Sequence, residues 1–411
     1  HQLEDCDATA IFTMRFLRTP VQGLQEHLPN LKNVWALEDI PELVKDSPPE
    51  PRFVEIDPQT DLVALPYSSG TTGLPKGVMI SHSNLIANVR QARNIGYPNS
   101  YSIFMDFLPF FHIYGLTALM SGGFAAGATQ VLMPRFDAQM CLDLVQRQKV
   151  TFLAVVPPAL LALANFPDRD KFDTSTLEFI VSAAAPLPPE VAQQAQRLYG
   201  CKVLQGYGLT ETSAASNVNP VNRVKPTSVG PPIPDTIEKV VSLEDDRELG
   251  PGETGEVLIH GPQIMRGYWN RPEDTADTIT QDGWLRTGDI GQFDDEGYVY
   301  IVDRKKELIK YKGYQVPPAE LEALLMEHPA VADVAVIPKP HTEGGEIPKA
   351  FVILKPSEEA TADDIIQFVA DRVAPYKKVR EVEFVDAIPR SLSGKILRRD
   401  LIDQERAKGG G

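Results

Sequence analysis

Five short segments of this chain carry residue types suited to phosphate and metal chemistry. The first, Tyr67-Ser68-Ser69-Gly70-Thr71-Thr72-Gly73-Leu74-Pro75-Lys76-Gly77, follows the apolar run Leu62–Leu65 and precedes a helix-like stretch, Ser83–Arg93. Hydroxyls and glycine amides in a turn wrap phosphate oxygens, and Lys76 adds positive charge. It is not a P-loop, which needs Gly-Lys-Ser/Thr in succession, because Lys76 lies between Pro75 and Gly77. A flexible Ser/Gly loop is the plain alternative, but the placement between a strand and a helix favours phosphate. The second segment, Gln205-Gly206-Tyr207-Gly208-Leu209-Thr210-Glu211-Thr212, imitates a dinucleotide fingerprint but has Glu211 where the third glycine belongs. A Thr beside a Glu suits a phosphate oxygen and its Mg²⁺, since hard cations take carboxylate oxygens.

The remaining three segments are ambiguous when taken singly. Gly283-Trp284-Leu285-Arg286-Thr287-Gly288-Asp289-Ile290-Gly291 places Asp289 in a loop between strands, where a turn Asp is the commoner role. Asp303-Arg304-Lys305-Lys306-Glu307 and its continuation to Gln315 read by default as a solvated charge run. In Pro389-Arg390-Ser391-Leu392-Ser393-Gly394-Lys395-Ile396-Leu397-Arg398-Arg399, a Ser-Gly turn before Lys395 could present its ammonium group into a cleft, though taken alone the segment reads as a basic tail.

The elements that position these residues follow from pattern and composition. Strand-like runs at Ala10–Thr13, Leu62–Leu65, Phe152–Val156 and Phe179–Val181 alternate with helix-like stretches at Leu85–Arg93, Ala138–Gln148 and Pro189–Tyr199. That rhythm predicts an α/β fold with a largely parallel sheet covered on both faces. From about residue 220 short strands such as Gly255–Ile259, separated by Gly and Pro, predict a β-rich subdomain. Beyond it a compact α+β pattern resumes: helix Pro317–Glu327, strands Val331–Ile337 and Lys349–Leu354, helix Ala362–Val373.

Of 411 residues, 40 are Lys or Arg and 56 Asp or Glu, a formal charge of −16 that argues against a nucleic-acid backbone as the main partner. The charge is unevenly placed: residues 304–411 hold 18 of each sign, so the whole excess lies in residues 1–303. A boundary with a hinge is expected between 303 and 304, separating a large domain from a smaller C-terminal lid. The hydrophobic fraction of 43% excludes a disordered chain. Cys6, Cys141 and Cys201 are far apart, which argues against a disulfide scaffold or a cysteine zinc site and for a reducing, intracellular compartment, cytoplasmic or organellar. The last residues carry no peroxisomal tripeptide. Phe107–Pro134 lacks Asp, Glu, Lys and Arg and is long enough to span a bilayer. Gly115, Gly122, Gly123 and Gly127, with His112 and Gln130, instead predict strand, helix and strand around a buried core helix.

Taken together, in this order and spacing, the five segments resemble the adenylate-forming superfamily: acyl-CoA synthetases, 4-coumarate–CoA ligases, beetle luciferases and peptide-synthetase adenylation domains. The likeness covers essentially the whole chain and is nearest to 4-coumarate–CoA ligases and luciferase-like acyl-CoA ligases. Relatives have a further stretch before the position of His1, so a chain lacking its N-terminal part is expected. The resemblance implies an ATP-dependent carboxylate–CoA ligase that forms an acyl adenylate and pyrophosphate, then a thioester and AMP, with ATP, Mg²⁺ and coenzyme A. It implies that Ser68, Ser69, Gly70, Thr71, Thr72, Gly73 and Lys76 hold the β- and γ-phosphates, Thr210 a phosphate oxygen and Glu211 the Mg²⁺. Tyr207 would lie against adenine, Asp289 would accept from the ribose hydroxyls with Arg304 beside it, and Lys395 would bridge carboxylate and α-phosphate. After adenylation the small domain would rotate at Asp303–Lys306, withdrawing Lys395 and bringing up the face around Gly313, with Lys310 and Gln315 serving the adenylate and thiol-transfer steps. His112 matches an aromatic-gate histidine.

By the same resemblance the acyl pocket is lined by Tyr114, Ala118, Ala183, Ala184, Ala185, Gly206, Ala214 and Ala215. None is charged, which favours an apolar aliphatic or aryl acid over an amino acid. Plant 4-coumarate–CoA ligases typically carry Gly-Pro-Val where this chain reads Ser213-Ala214-Ala215, so a medium- or long-chain fatty acid is an equal expectation. A luciferase-like oxygenase, which would emit light from an adenylated luciferin, and a non-catalytic nucleotide-binding remnant are the alternatives. The complete set Lys76, Thr210, Glu211, Asp289, Arg304 and Lys395 argues against decay.

Overall fold

The computed structural model describes all residues other than 47–49, 51–52, 69–73, 95–97, 357, 392–393 and 410–411. The α/β expectation is met by a six-stranded sheet whose strands run, side by side, Asn217–Val218, Lys202–Tyr207, Phe179–Ser182, Phe152–Val155, Ile103–Asp106 and Thr129–Leu132. The longer strands are parallel, and only the short edge strand Asn217–Val218 runs antiparallel. Phe152–Val155 is buried at every position, as a strand covered on both faces must be.

The helices fall where their end signals place them. Ala138–Gln148 starts after Asp137, whose carboxylate accepts the Met140 amide at 2.7 Å. Pro189–Tyr199 begins on proline and ends at Gly200, which takes the left-handed conformation there. The predicted helix Leu85–Arg93 runs from His82 to Asn94.

Two expectations change. Leu62–Leu65 is not a strand of the buried sheet: Leu62–Ala64 forms a two-stranded antiparallel ribbon with Ile80–Ser81 and is only partly buried. Its residues find a local partner instead of a place between parallel strands. The uncharged stretch Phe107–Pro134 holds a π-helix, Tyr114–Ser121, a short α-helix, Gly122–Ala126, and a strand, Thr129–Leu132. Gly127 in the left-handed conformation ends the helical part, and no helix among the described residues is long and apolar enough to cross a membrane.

Near the start, Ala10–Thr13 pairs in parallel with Asn33–Ala36; Val34 and Ala36 are buried, while Phe12 and Phe16 stay exposed. After residue 220 an antiparallel sheet is built in chain order from Ile237–Val241, Gly255–His260, Leu285–Phe293 and Val299–Arg304. A third sheet combines Ile309–Tyr311, Tyr314–Val316, Val331–His341 and Gly345–Leu354, with Glu381–Phe384 added in parallel. Its apolar clusters draw only on residues from Ile309 to Ile402, separate from the cluster of the six-stranded sheet.

Candidate active site

A cavity of about 1870 Å³ lies where the three sheets face one another, beyond the C-terminal ends of the parallel strands. Open parallel sheets offer ligand sites there because strand ends and helix starts converge.

One wall is polar. Tyr207 closes the strand Lys202–Tyr207, and its hydroxyl donates to Asp289 Oδ2 at 2.5 Å. Asp289 is not in a loop: it lies within the strand Leu285–Phe293, directly paired with Arg304 of the neighbouring strand, whose Nε lies 3.1 Å from Asp289 Oδ1. The antiparallel register fixes that pairing, which a Gly-Asp dipeptide does not reveal. Burial raises the Asp289 carboxyl, and Arg304 and Tyr207 act against that shift. Buried Glu256 steadies the same strand, with Oε1 accepting the Gly288 amide and Oε2 meeting Lys305 Nζ at 3.0 Å.

Lys395 enters the cavity from a tight turn. Gly394 takes a left-handed φ of +79°, its amide donates to the Ser391 carbonyl at 2.8 Å, and a Cβ on it would press on Pro158 and Val156 at 3.3 Å. The turn therefore rests just beyond the strand Phe152–Val155. Burial, then Arg304, pulls the Lys395 ammonium down to about 8, against Glu307 and Asp289.

Thr210 and Glu211 occupy a single 3₁₀ turn lining the cavity. Tyr268 donates to Glu211 Oε1 at 2.8 Å. Gly208 is obligatory, because any Cβ there would run into the Ala214 carbonyl. Tyr67–Ser68 and Lys76–Gly77 are paired legs of a hairpin. Its tip, with Ser69, Gly70, Thr71, Thr72 and Gly73, lies outside the described residues. Lys76 pairs with Asp274 at 2.5 Å.

The other wall is mainly apolar. Tyr114, Ala118, Ala183 to Ala185, Gly206, Ala214 and Ala215 all line the cavity, as does His112. His112 Nδ1 accepts the Tyr114 amide at 3.2 Å and burial lowers its pKa, so the ring is neutral with its proton on Nε2. Tyr114 donates its hydroxyl to the Val181 carbonyl at 3.2 Å.

Models of the AMP-binding enzyme family and of the AMP-binding enzyme C-terminal domain match residues 1–269 and 320–395. The chain belongs to the AMP-binding enzyme family. Within that family it is 45% identical over 366 residues to the 4-coumarate–CoA ligase of Pinus taeda, covering 86% of this chain and 67% of that one. It is 40% identical over 414 residues to the peroxisomal OPC-8:0-CoA ligase 1 of Arabidopsis thaliana, covering 98% of this chain and 76% of the relative. The chain thus spans about two-thirds to three-quarters of the length of these relatives. The anthranilate CoA ligase AuaEII, solved with anthranoyl-AMP, superposes with a TM-score of 0.92 at 26% identity, covering 100% of this chain and 80% of the other. An ATP-bound RpMatB-BxBclM chimera gives 0.92 at 28%, covering 99% and 81%. The fold is that of adenylate-forming enzymes, a large α/β domain and a small C-terminal domain.

Two expected site residues of this AMP-binding enzyme lie elsewhere. Lys310 and Gln315 face each other across the hairpin Ile309–Tyr311/Tyr314–Val316, are exposed, and do not line the cavity. The hairpin turns at Lys312 and Gly313, both with positive φ. At the expected hinge, Asp303 Oδ1 accepts the Arg304 amide and Oδ2 the Ala319 amide at the start of the helix Pro318–Met326, while burial pushes its carboxyl up to about 7.

Several supporting residues escaped sequence reasoning. Asn88 grips Ala215 by both backbone groups, at 2.8 and 3.2 Å, and Ser213 donates to the Gln263 carbonyl at 2.7 Å. These buried side chains carry no local signal, because their partners lie 127 positions away for Asn88 and 50 for Ser213.

Proposed function

We propose that the chain is an AMP-forming carboxylate–CoA ligase with a large AMP-binding part, residues 1–303, and a C-terminal lid, residues 304–411. The substrate carboxylate attacks the α-phosphorus of ATP, giving an acyl adenylate and pyrophosphate. The thiol of coenzyme A then attacks the acyl carbonyl, giving a thioester and AMP. The observation that carries this reading is one cavity with a cationic and hydroxylic side, Lys76, Thr210, Arg304 and Lys395, facing an apolar recess from Tyr114 to Ala185.

Each group has a task that its chemistry suits. Tyr207 offers a ring face to adenine, and Asp289, held by Tyr207 and Arg304, accepts from ribose hydroxyls. Ser68, Thr210, Lys76 and residues 69–73 hold phosphate oxygens. Lys395 stabilises charge where carboxylate and α-phosphate meet, in a site where fixed positive charge counts more than in water. No cluster of three metal-ligand side chains occurs among the described residues. Glu211 still fits Mg²⁺, since that ion takes one or two carboxylates plus substrate phosphates and waters. Bound there, it would neutralise phosphate charge.

In a second lid position Lys310, Gln315 and the face around Gly313 would serve thiol transfer, with Asp303 to Lys306 as the pivot; their exposure supports that use. Such hinges absorb the motion in a few residues. The apolar recess, and relatives named for 4-coumarate and OPC-8:0, support an aliphatic or aryl acid as substrate.

The test is acid-dependent release of pyrophosphate across aliphatic and aromatic carboxylates, with and without coenzyme A. Lys395→Ala should lower adenylation on the order of a hundredfold or more, yet still convert supplied acyl adenylate and coenzyme A to thioester. Equal loss in both half-reactions would remove Lys395 from the first step.

A further inference from the structure

Lys395 is held in the cavity by its backbone. Its ammonium group has no hydrogen bond or ion pair with the described residues, so the turn that carries it decides where the charge stands. That turn is a narrow hairpin. Arg390 faces Ile396 in antiparallel register, the Ser391 amide donates to the Lys395 carbonyl at 2.9 Å, and the Lys395 amide donates to Ser391 Oγ at 3.2 Å. A two-stranded hairpin is marginal by itself in water, so a contact outside it has to fix its direction.

Arg390 makes that contact. Its Nη1 donates to the Gly394 carbonyl at 2.9 Å, the peptide oxygen immediately before Lys395, while Nη2 reaches both carboxylate oxygens of Asp333 at 2.7 and 3.0 Å. Asp333 lies at a register irregularity in the strand Val331–His341, where its Oδ1 also accepts the Val334 amide at 2.9 Å. The carboxylate is therefore fixed to the sheet of the C-terminal part, and the guanidinium is a strut from that sheet to a turn 57 positions away. A lysine is no substitute, because a point-charge ammonium on a flexible stem lacks the planar spread of donors that spans two acceptors. The same strand anchors the far flank of the turn, where Arg398 Nε donates to the Val336 carbonyl at 3.2 Å.

The pair is close to the chemistry without taking part in it. Arg390 and Asp333 both line the cavity, with side chains 24% and 30% exposed, and both terminal nitrogens of Arg390 are occupied by Gly394 and Asp333. Charges partly withdrawn from solvent are screened less than those on an open surface, which favours a persistent pair.

We propose that the Arg390–Asp333 pair positions Lys395, setting the place of its ammonium group for acyl-adenylate formation and having no part in thioester formation. This rests on the ligase reading and on the task given there to Lys395. Both are positioning residues, acting through the turn and touching no substrate.

The test uses the full chain and follows the two half-reactions separately, with the carboxylic acid that gives the fastest pyrophosphate release. Single-turnover pyrophosphate release without coenzyme A reports adenylation. Thioester formation from the supplied acyl adenylate and coenzyme A reports the second step. Arg390→Met and Asp333→Asn should each slow adenylation by about tenfold to a hundredfold, the cost of a small misplacement of a reacting group. Half-saturation by ATP and the thioester step should stay unchanged. The double variant should lose no more than the larger single loss, since residues that act as a unit are not additive, and Arg390→Lys should recover little. Where Arg390→Met fails to fold, Asp333→Asn, which keeps the side-chain size, carries the same prediction. Full adenylation in a folded single variant, equal loss in both half-reactions, or a weakened hold on ATP overturns the assignment, the last because it makes Arg390 a direct phosphate ligand. A wild-type chain without acid-dependent pyrophosphate release removes the ligase reading, and adenylation that survives Lys395→Ala removes the task of that lysine; the assignment falls with either. Adenylation that depends on Lys395 but not on Arg390 overturns the assignment alone.

Discussion

Lys395 shows how one side chain links geometry to a measurable pH dependence. Its ammonium is depressed to about 8 by burial and by Arg304, so the folded protein releases this proton before the unfolded chain does. Between about pH 8 and the usual lysine range the unfolded state binds more protons, and stability contributed by this group rises with pH. With Lys395 in the role proposed, adenylation draws on its charged form, so kcat/KM for ATP should fall as pH rises through about 8, since that parameter reports the free enzyme. The stability contributed by Lys395 and the activity therefore run in opposite directions over this interval. Steady-state kinetics beside denaturant titrations at several pH values checks this, and a flat kcat/KM between pH 7 and 9 would contradict it. The Ser-Gly turn before Lys395 was visible in the sequence, but its role was legible only through the family resemblance, because taken alone the segment reads as a basic tail.

At the scale of elements, the last helix is tied to the segment just after Arg304 by a buried charge cluster. Arg398 meets Glu307 at 2.5 Å and Glu322 at 2.6 Å, and its Nε donates to the Val336 carbonyl. All three charged side chains are nearly buried, so removing the guanidinium strands two carboxylates in a poorly solvated place. Arg398→Ala should lower stability by about 3–5 kcal/mol, the cost of breaking a buried pair from one side; chemical denaturation measures it, and a loss under about 1 kcal/mol, typical of a surface pair, would refute it. Elements whose ends carry their own signals were readable: Asp137 caps one helix, and Pro189 and Gly200 bracket another. Leu62–Leu65 misled because an apolar run specifies burial but not the partner strand, and its partner is the short Ile80–Ser81.

For the whole molecule, the distribution of apolar clusters supports a division near residue 303. The six-stranded sheet has a core from Phe104 to Val203, the antiparallel sheet packs with Val78 and Ile80, and the last sheet closes on residues between Ile309 and Ile402. A fragment of residues 304–411 should unfold cooperatively by itself, since its core borrows from no other cluster. A non-cooperative melt of that fragment would speak against the boundary. The charge asymmetry agrees with this division, the excess of acidic groups lying wholly before Arg304.

The order of motifs, the helix ends and the alternation of strand and helix were determined by the sequence itself, because they depend on neighbours within a few residues. Tertiary structure alone decided which groups meet. Tyr207 reaches Asp289 across 82 positions and Lys76 reaches Asp274 across 198. Lys310 and Gln315, in the same stretch as Arg304, do not line the cavity. The physical reason is that register between strands and the packing of sheets set distances between residues remote in the chain.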